Sequence, residues 1–250
     1  MLIVLAKDVP TSPLGEERRT TDTLCVVRSV LLSASILVVW SLTSLAFAAR
    51  VGIEDWTSQP FGAHGIPAGW TAYATPGGRA AYDFTIVEDG GRRALGLRSH
   101  DDHSTIAKAV HVDLEATPIL EWSWKIVELP AGADVRNRAT SDLTGHVFVV
   151  WPRFPGPLRS RLIGYAWGTS EPVNSMLQSR KSGTVTFVIL RSGAEGLGRW
   201  VTERRDVVED YRKIHGERPD NPQVIAISID TNDTHSTAAA LIGSIAFTSR

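Results

Sequence analysis

From residue 81 onward the chain keeps repeating one arrangement: a short run that alternates apolar with polar, or is apolar throughout, followed by a cluster of Gly, Pro, Asp or Ser. Such runs occupy residues 81–87, 94–99, 105–112, 119–129, 145–151, 161–168, 184–191, 224–230 and 243–247, and their length and period predict a strand in each. The breaks between them are strong, at Pro76-Gly77-Gly78, Asp89-Gly90-Gly91, Pro130-Ala131-Gly132, Pro152 to Pro157 and Ser192-Gly193. Many short strands with turn chemistry between them predict an all-β fold, an antiparallel two-sheet sandwich rather than a parallel sheet. In the run 119–127, Leu120, Trp122, Trp124 and Ile126 share one face while Glu121, Ser123 and Lys125 share the other, because side chains alternate along a strand. A face that combines two indoles with Leu and Ile is expected to be core, although paired indoles could also serve as a sugar-stacking platform.

One segment has helical character. Asp206 is placed to cap Val207 to Ile214, Glu209 stands where a capping box needs it, and Gly216 ends the run. Its alternating charges predict one short surface helix.

The N-terminal part is different. Residues 29–45 carry no charge, follow Arg28 and lead into Ala46-Phe47-Ala48, the small-x-small pattern of a signal-peptidase site. The expectation is export, to the periplasm or beyond, with cleavage after Ala48; contact with a membrane is expected only through an uncleaved signal segment. The preceding residues are atypical, since Lys7, Arg18, Arg19 and Arg28 are balanced by Asp8, Glu16, Glu17 and Asp22. Translation starting near Val26 or Val27 would account for this. The division expected is therefore residues 1–48, N-terminal extension and signal, and residues 49–250, one β-sandwich domain.

Composition removes several function classes. With 26 Lys+Arg against 27 Asp+Glu the net charge is -1, which gives no excess to hold a phosphate backbone, so no nucleic-acid partner is expected. Cys25 is the single cysteine, which excludes an intramolecular disulfide, a Cys-based zinc site and a redox pair. The sequence contains no G-x-S-x-G, H-E-x-x-H or P-loop, and Gly193 to Gly198 imitates a glycine-rich loop without the βαβ context. No cofactor is expected.

Two polar strings invite a chemical reading. His100-Asp101-Asp102-His103 is metal-like, but histidines three apart point to opposite faces of a strand, so a polar hairpin tip is the expectation. Asp230-Thr231-Asn232-Asp233-Thr234-His235 gathers oxygens at a strand end, yet His235 stands where a calcium loop needs Gly and Leu241 where it needs Glu.

Further motifs carry a resemblance. Trp122, Trp124 and Lys125 fit a W-x-W-K strand, Tyr165 and Trp167 a Tyr-x-Trp strand, and Trp200, Glu203, Arg205, Asp206, Val207, Asp210 and Tyr211 a W-x-x-E-x-R-D-V-x-x-D-Y pattern. In these the chain resembles a bacterial family of exported proteins, domain of unknown function family 3047, over most of Trp122 to Phe247 and most closely in the block from Trp200 to Tyr211. The resemblance implies a jelly-roll sandwich of the carbohydrate-binding type. The chain departs from the family pattern twice: a paired Asp followed by Arg reads Ser141-Asp142 and His146, and Asp-x-Asp-Asn-Thr reads Asp230, Asn232, Asp233 and Thr234.

Together these readings place a polar site where Asp142 and His146 meet the turn carrying Asp230, Asn232 and Asp233, with Tyr165 and Trp167 as aromatic ligand contacts. The imidazole argues against calcium, which prefers oxygen, so no metal is expected. The expected function is non-catalytic binding of a glycan or other small polar ligand. The alternatives are an envelope hydrolase or lyase using paired carboxylates, and a purely structural envelope protein.

Overall fold

The computed structural model describes residues 49–73 and 79–250; Cys25, the apolar segment 29–45, the Ala46 to Ala48 pattern and the Pro76-Gly77-Gly78 turn lie outside them. Within the described residues the strands are β1 Arg50–Glu54, β2 Thr71–Ala72, β3 Phe84–Asp89, β4 Arg92–His100, β5 His103–Ala109, β6 Ile119–Glu128, β7 Thr144–Trp151, β8 Arg161–Gly168, β9 Met176–Gln178, β10 Val185–Ser192, β11 Val201–Asp206, β12 Val224–Asp230 and β13 Thr237–Thr248. Helix α1 spans Gly156–Arg159 and α2 Val207–His215.

The first sheet has the order β11-β6-β13-β4-β3, with β1 also on β13, and the second β2-β5-β12-β7-β8-β10-β9. The strands β4 to β8 and β11 to β13 thus lie as 11-6-13-4 against 5-12-7-8, the interlocked Greek keys of a jelly roll. The pairing is antiparallel except for one ladder, β8 with β10, which is parallel. It arises because β9 forms the outer edge and β10 turns back between β9 and β8.

All nine patterned runs coincide with strands. Those the pattern missed are β1, β2, β9 and β11, which are short or polar. Strand β11 holds Glu203, Arg204 and Arg205 and offers no apolar stripe; its ladder to β6 and the pair Arg204 to Glu121 at 2.7 Å hold it in place. Strand β13 begins at Thr237, six residues before the expected Gly243. Gly243 sits in a register shift between Ile242 and Ile245, its carbonyl accepts the Trp56 indole N–H at 2.8 Å, and a Cβ there would overlap Ser123 Oγ. A glycine that reads as a strand end is a bulge inside a long strand.

The core between the sheets is aromatic. Trp122 and Trp124 from β6 meet Tyr165 and Trp167 from β8, with ring centroids 5.3 Å (Trp122–Tyr165) and 6.1 Å (Trp124–Trp167) apart, and all four are at most 1% exposed. The indole pair is therefore core. Helix α2 has the expected ends: Asp206 accepts from the Glu209 amide at 3.0 Å, and Gly216 is left-handed. The side chain of Glu209 pairs with Arg212. One side of α2 is solvated as expected, while Val207, Val208, Asp210 and Tyr211 are buried. The Asp210 carboxylate accepts two N–H groups of Arg205, at 2.9 and 2.6 Å, and the Tyr165 hydroxyl at 3.0 Å.

Trp124→Ala deletes a fully buried indole together with its 3.2 Å bond to Glu203. The expected loss is about 3–5 kcal/mol in urea denaturation, as for large-to-small core changes; a loss below about 1 kcal/mol would contradict the core assignment.

Candidate functional site

The middle strands β12, β7 and β8 of the second sheet are buried on both faces. The inner face of the sheet carries Ile106, Ile227, Val147, Ile163 and Val188 into the main core, and the period of two turns the intervening residues outward. On that outer face the registers align two rows across neighbouring strands. One row is Ala107, Ala226, Phe148, Gly164, Phe187 and Leu177. Beside it, Thr105, Ser228 and His146 stand directly opposite one another, with His103 facing Asp230 one step further along. Gly164 makes the apolar row feasible: a Cβ there would lie 2.6 Å from Phe148 and 2.9 Å from Phe187, so the missing side chain leaves room for both rings.

The polar row is knitted by short bonds. Thr105 and Ser228 hydroxyls are 2.6 Å apart, and His103 Nε2 lies 3.1 Å from Thr105 Oγ1. His146 packs edge-on against Phe148 and Phe187, at 4.8 and 5.9 Å between centroids. Burial holds its imidazole neutral, with a pKa of about 3, and the nearby His103 adds to the effect. Burial, followed by the charge of Lys181, also lowers His103. Burial and the charge of Asp142 push Asp230 well above the usual carboxylate range. The innermost groups are thus two neutral imidazoles, two hydroxyls and a carboxyl whose charged form burial disfavours, all rich in donors and acceptors.

Two turns converge on this row as the sequence placed them. Asp142 accepts from the amides of Asp233, at 3.2 Å, and Thr234, at 2.7 Å, and from the Thr234 hydroxyl at 2.7 Å. The Ser141 amide in turn donates to Asp233 at 3.1 Å, and the Leu143 amide to Asp230 at 2.9 Å. Asp142, His146, Asp230, Asn232 and Asp233 therefore belong to one neighbourhood. Within it Asp142 and Asp233 tie the segment before β7 to the turn after β12. Lys181, from the loop after β9, forms an ion pair with Asp233, and the Arg180 carbonyl accepts from Arg138 at 3.5 Å. Glu171, also buried, accepts the Val135 amide at 2.8 Å and fixes the loop that contains Arg138. Two polar atoms of this neighbourhood, His146 Nδ1 and Asn232 Oδ1, remain buried without a hydrogen-bond partner among the described residues.

Tyr165 and Trp167 do not reach this neighbourhood. On β8 the outward positions are Leu162, Gly164 and Ala166, so these two rings point into the core, where Tyr165 bonds Asp210 and Trp167 donates to the Gly193 carbonyl at 2.9 Å. Their expected role as ligand contacts is corrected by strand parity. Conversely, the sequence reading missed His103, Thr105, Ser228 and Lys181. A lone serine within the apolar run 224–229 was the available signal, since a polar residue on a buried strand needs a partner. Of the metal-like string, Asp102 holds the hairpin tip, accepting Ser99 Oγ at 2.5 Å and Ser104 Oγ at 2.7 Å, and Asp101 has a positive φ of 52°; only His103 faces the row.

The titrations oppose one another. Unfolded His146 takes a proton below about pH 6.5 that the native state refuses, so this residue costs stability as pH falls from there toward 3, by up to about 1.4 kcal/mol per pH unit. Asp230 keeps a proton that the unfolded chain releases, so it costs stability as pH rises above the ordinary Asp value. In denaturation series between about pH 4 and 7, His146→Gln is expected to lessen the loss on the acid side, and Asp230→Asn the loss on the neutral side. Parallel curves for wild type and both variants would show that neither side chain is held in the stated protonation state.

Comparison with known proteins gives one family and several distant structural similarities. The family 11 carbohydrate-binding module from Clostridium thermocellum, solved with a mixed-linked tetrasaccharide, superposes at a TM-score of 0.43 and 11% identity, over 81% of this chain and 96% of that one. A mannan-recognising module, TmCBM27, gives 0.37 and 13% over 81% and 99%. The xyloglucanase domain of NopAA, a type three effector from Sinorhizobium fredii solved with cellobiose, gives 0.37 and 9% over 73% and 99%. No curated protein matches the chain. Residues 68–246 match the family described as protein of unknown function (DUF3047), and the chain belongs to that family.

Proposed function

We propose that this is an exported, non-catalytic β-sandwich that binds an uncharged polyhydroxylated ligand, a saccharide, on the outer face of the second sheet. The observation that carries the reading is the pair of unpartnered buried atoms, His146 Nδ1 and Asn232 Oδ1. Buried polar groups left without partners are costly, and a ligand hydroxyl supplies what they lack when the loop carrying Lys181 moves off the row to admit it. Saccharide chemistry fits what surrounds them. Ser228, Thr105 and His103 both donate and accept, as sugar hydroxyls require, and the adjoining Phe148 and Phe187 suit the apolar C–H face of a pyranose. A charged ligand would lose its hydration beside a buried imidazole that stays neutral and a carboxyl whose charge burial disfavours.

Hydrolysis by paired carboxylates draws on the proximity of Asp142 and Asp230. Against it, the Asp142 oxygens are taken up by the turn at Asp233 and Thr234, which leaves that carboxylate a brace rather than a base.

The test is calorimetry and thermal shift on the full-length chain with glucose, mannose and their β-linked oligomers. Binding to the native state raises stability by about 2.7 kcal/mol at a hundredfold excess over Kd. His146→Ala and the more peripheral Asn232→Ala are each expected to weaken binding by about tenfold or more, the cost of a lost hydrogen bond to a buried partner. No shift with any saccharide, or a shift that both variants retain, overturns the reading; release of shortened oligomers would favour the hydrolase.

For export, the expected mature N-terminus is Ala49, one residue before β1 begins at Arg50. Mass spectrometry of protein recovered from cells would show it, whereas a membrane-bound species that retains Trp40 would identify an anchor.

A further inference from the structure

A second concavity lies away from the polar row, between the start of β8, the β9–β10 edge and the C-terminal end of α2. It encloses about 560 Å³, the size of a pocket for a small ligand, and its walls include Arg153, Arg159, Arg161 and Lys213 but no carboxylate. In a chain of net charge -1 this segregates four cations on one cleft. Arg153 and Arg161 both donate to a single neutral atom, the Tyr211 hydroxyl oxygen, at 3.1 and 2.5 Å. Their carboxylate partners, Asp220 at 3.5 Å and Glu217, lie outside the walls and are more than half exposed, where solvent screens them. Lys213 has no ion-pair partner among the described residues, and Arg159 reaches only the Phe154 carbonyl, at 3.4 Å. His215, its ring tilted against that of Tyr211 with centroids 4.5 Å apart, leaves Nε2 buried and unpartnered, and Thr184 lies in the same wall.

Guanidinium groups crowded around a neutral oxygen, with no carboxylate between them, are the arrangement that recognises an oxyanion by forked, charge-assisted bonds. We propose that this cleft binds a sugar-sized ligand bearing an oxyanion group, phosphate or carboxylate, seated between Arg153, Arg161 and Lys213. The site is distinct from the uncharged saccharide row and does not depend on it. Phe154 and Leu158 at the neighbouring surface are 90% and 79% exposed, so the phosphate of a lipid headgroup is one source of such a group and a free metabolite the other.

The matched pair galacturonate and galactose, which differ in a carboxylate, tests this on the full-length chain by calorimetry, together with inorganic phosphate and vesicles of phosphatidylcholine with and without phosphatidylglycerol. Galacturonate or phosphate is expected to bind, more weakly as salt is raised, and galactose to show no binding that depends on this cleft. Lys213→Gln and Arg161→Gln are expected to reduce that binding by about tenfold or more while His146→Ala leaves it intact; Lys213 is free of structural bonds, so its variant retains the fold. Phosphate binding accompanied by phosphatidylglycerol-dependent sedimentation supports the proposal with a lipid source, and oxyanion binding without sedimentation supports it with a soluble one. No binding of either oxyanion, binding that survives both substitutions, or sedimentation with vesicles alone overturns it.

Discussion

A sheet covered on both faces has no solvent to fall back on, and most of what distinguishes this protein follows from that condition in its second sheet. Strand parity sends Ile106, Ile227 and Val147 inward and commits Thr105, Ser228 and His146 to the opposite face. Since that face is buried too, each polar group must bond a neighbour or change its protonation state. The hydroxyls pair with one another, both imidazoles stay neutral, and Asp230 is pushed toward its protonated form. Where neither remedy is complete, at His146 and Asn232, an unmet hydrogen-bonding demand remains.

The acidic residues divide into two kinds. Asp142, Asp233 and Glu171 accept backbone amides across long sequence separations, so they hold loops in place in the way a cap holds a helix. Asp210 does the same for α2 through Arg205 and Tyr165. Asp230 alone combines burial with a raised pKa beside the polar row. A cluster of Asp in the sequence thus resolves into several braces and one carboxyl, Asp230, that also accepts an amide, from Leu143, but is buried beside Asp142 so that its pKa rises.

The fold was legible because it is written in short-range signals: period two in the strands, Gly and Pro between them, Asp206 and Gly216 around α2. Strand β11 was not, because its residues are polar and it is held by partners on β6 and β10 that local reading cannot supply. The meeting of Asp142 with Asp233 was anticipated from motifs flanking apolar strands. The placing of Tyr165 and Trp167 failed for want of parity: which face of β8 turns inward is decided by packing against Trp122 and Trp124. His103 escaped notice inside a string that looked like a hairpin tip and largely is one, while Lys181 arrives from a distant loop with no sequence mark at all.

The margins of the two sheets have a further consequence. Exposed strand edges offer unpaired amides and carbonyls on which another chain can assemble, the common route from β-sandwich to aggregate. Here one sheet ends in β2 and β9, two and three residues long. The other ends in β11, dense in charge, and in β3, whose outer groups are already taken by Gly62, Ala63 and Gly65. With no cysteine in the sandwich to cross-link it, this edge protection removes the unpaired margins on which copies of a chain so rich in apolar strands would otherwise pair.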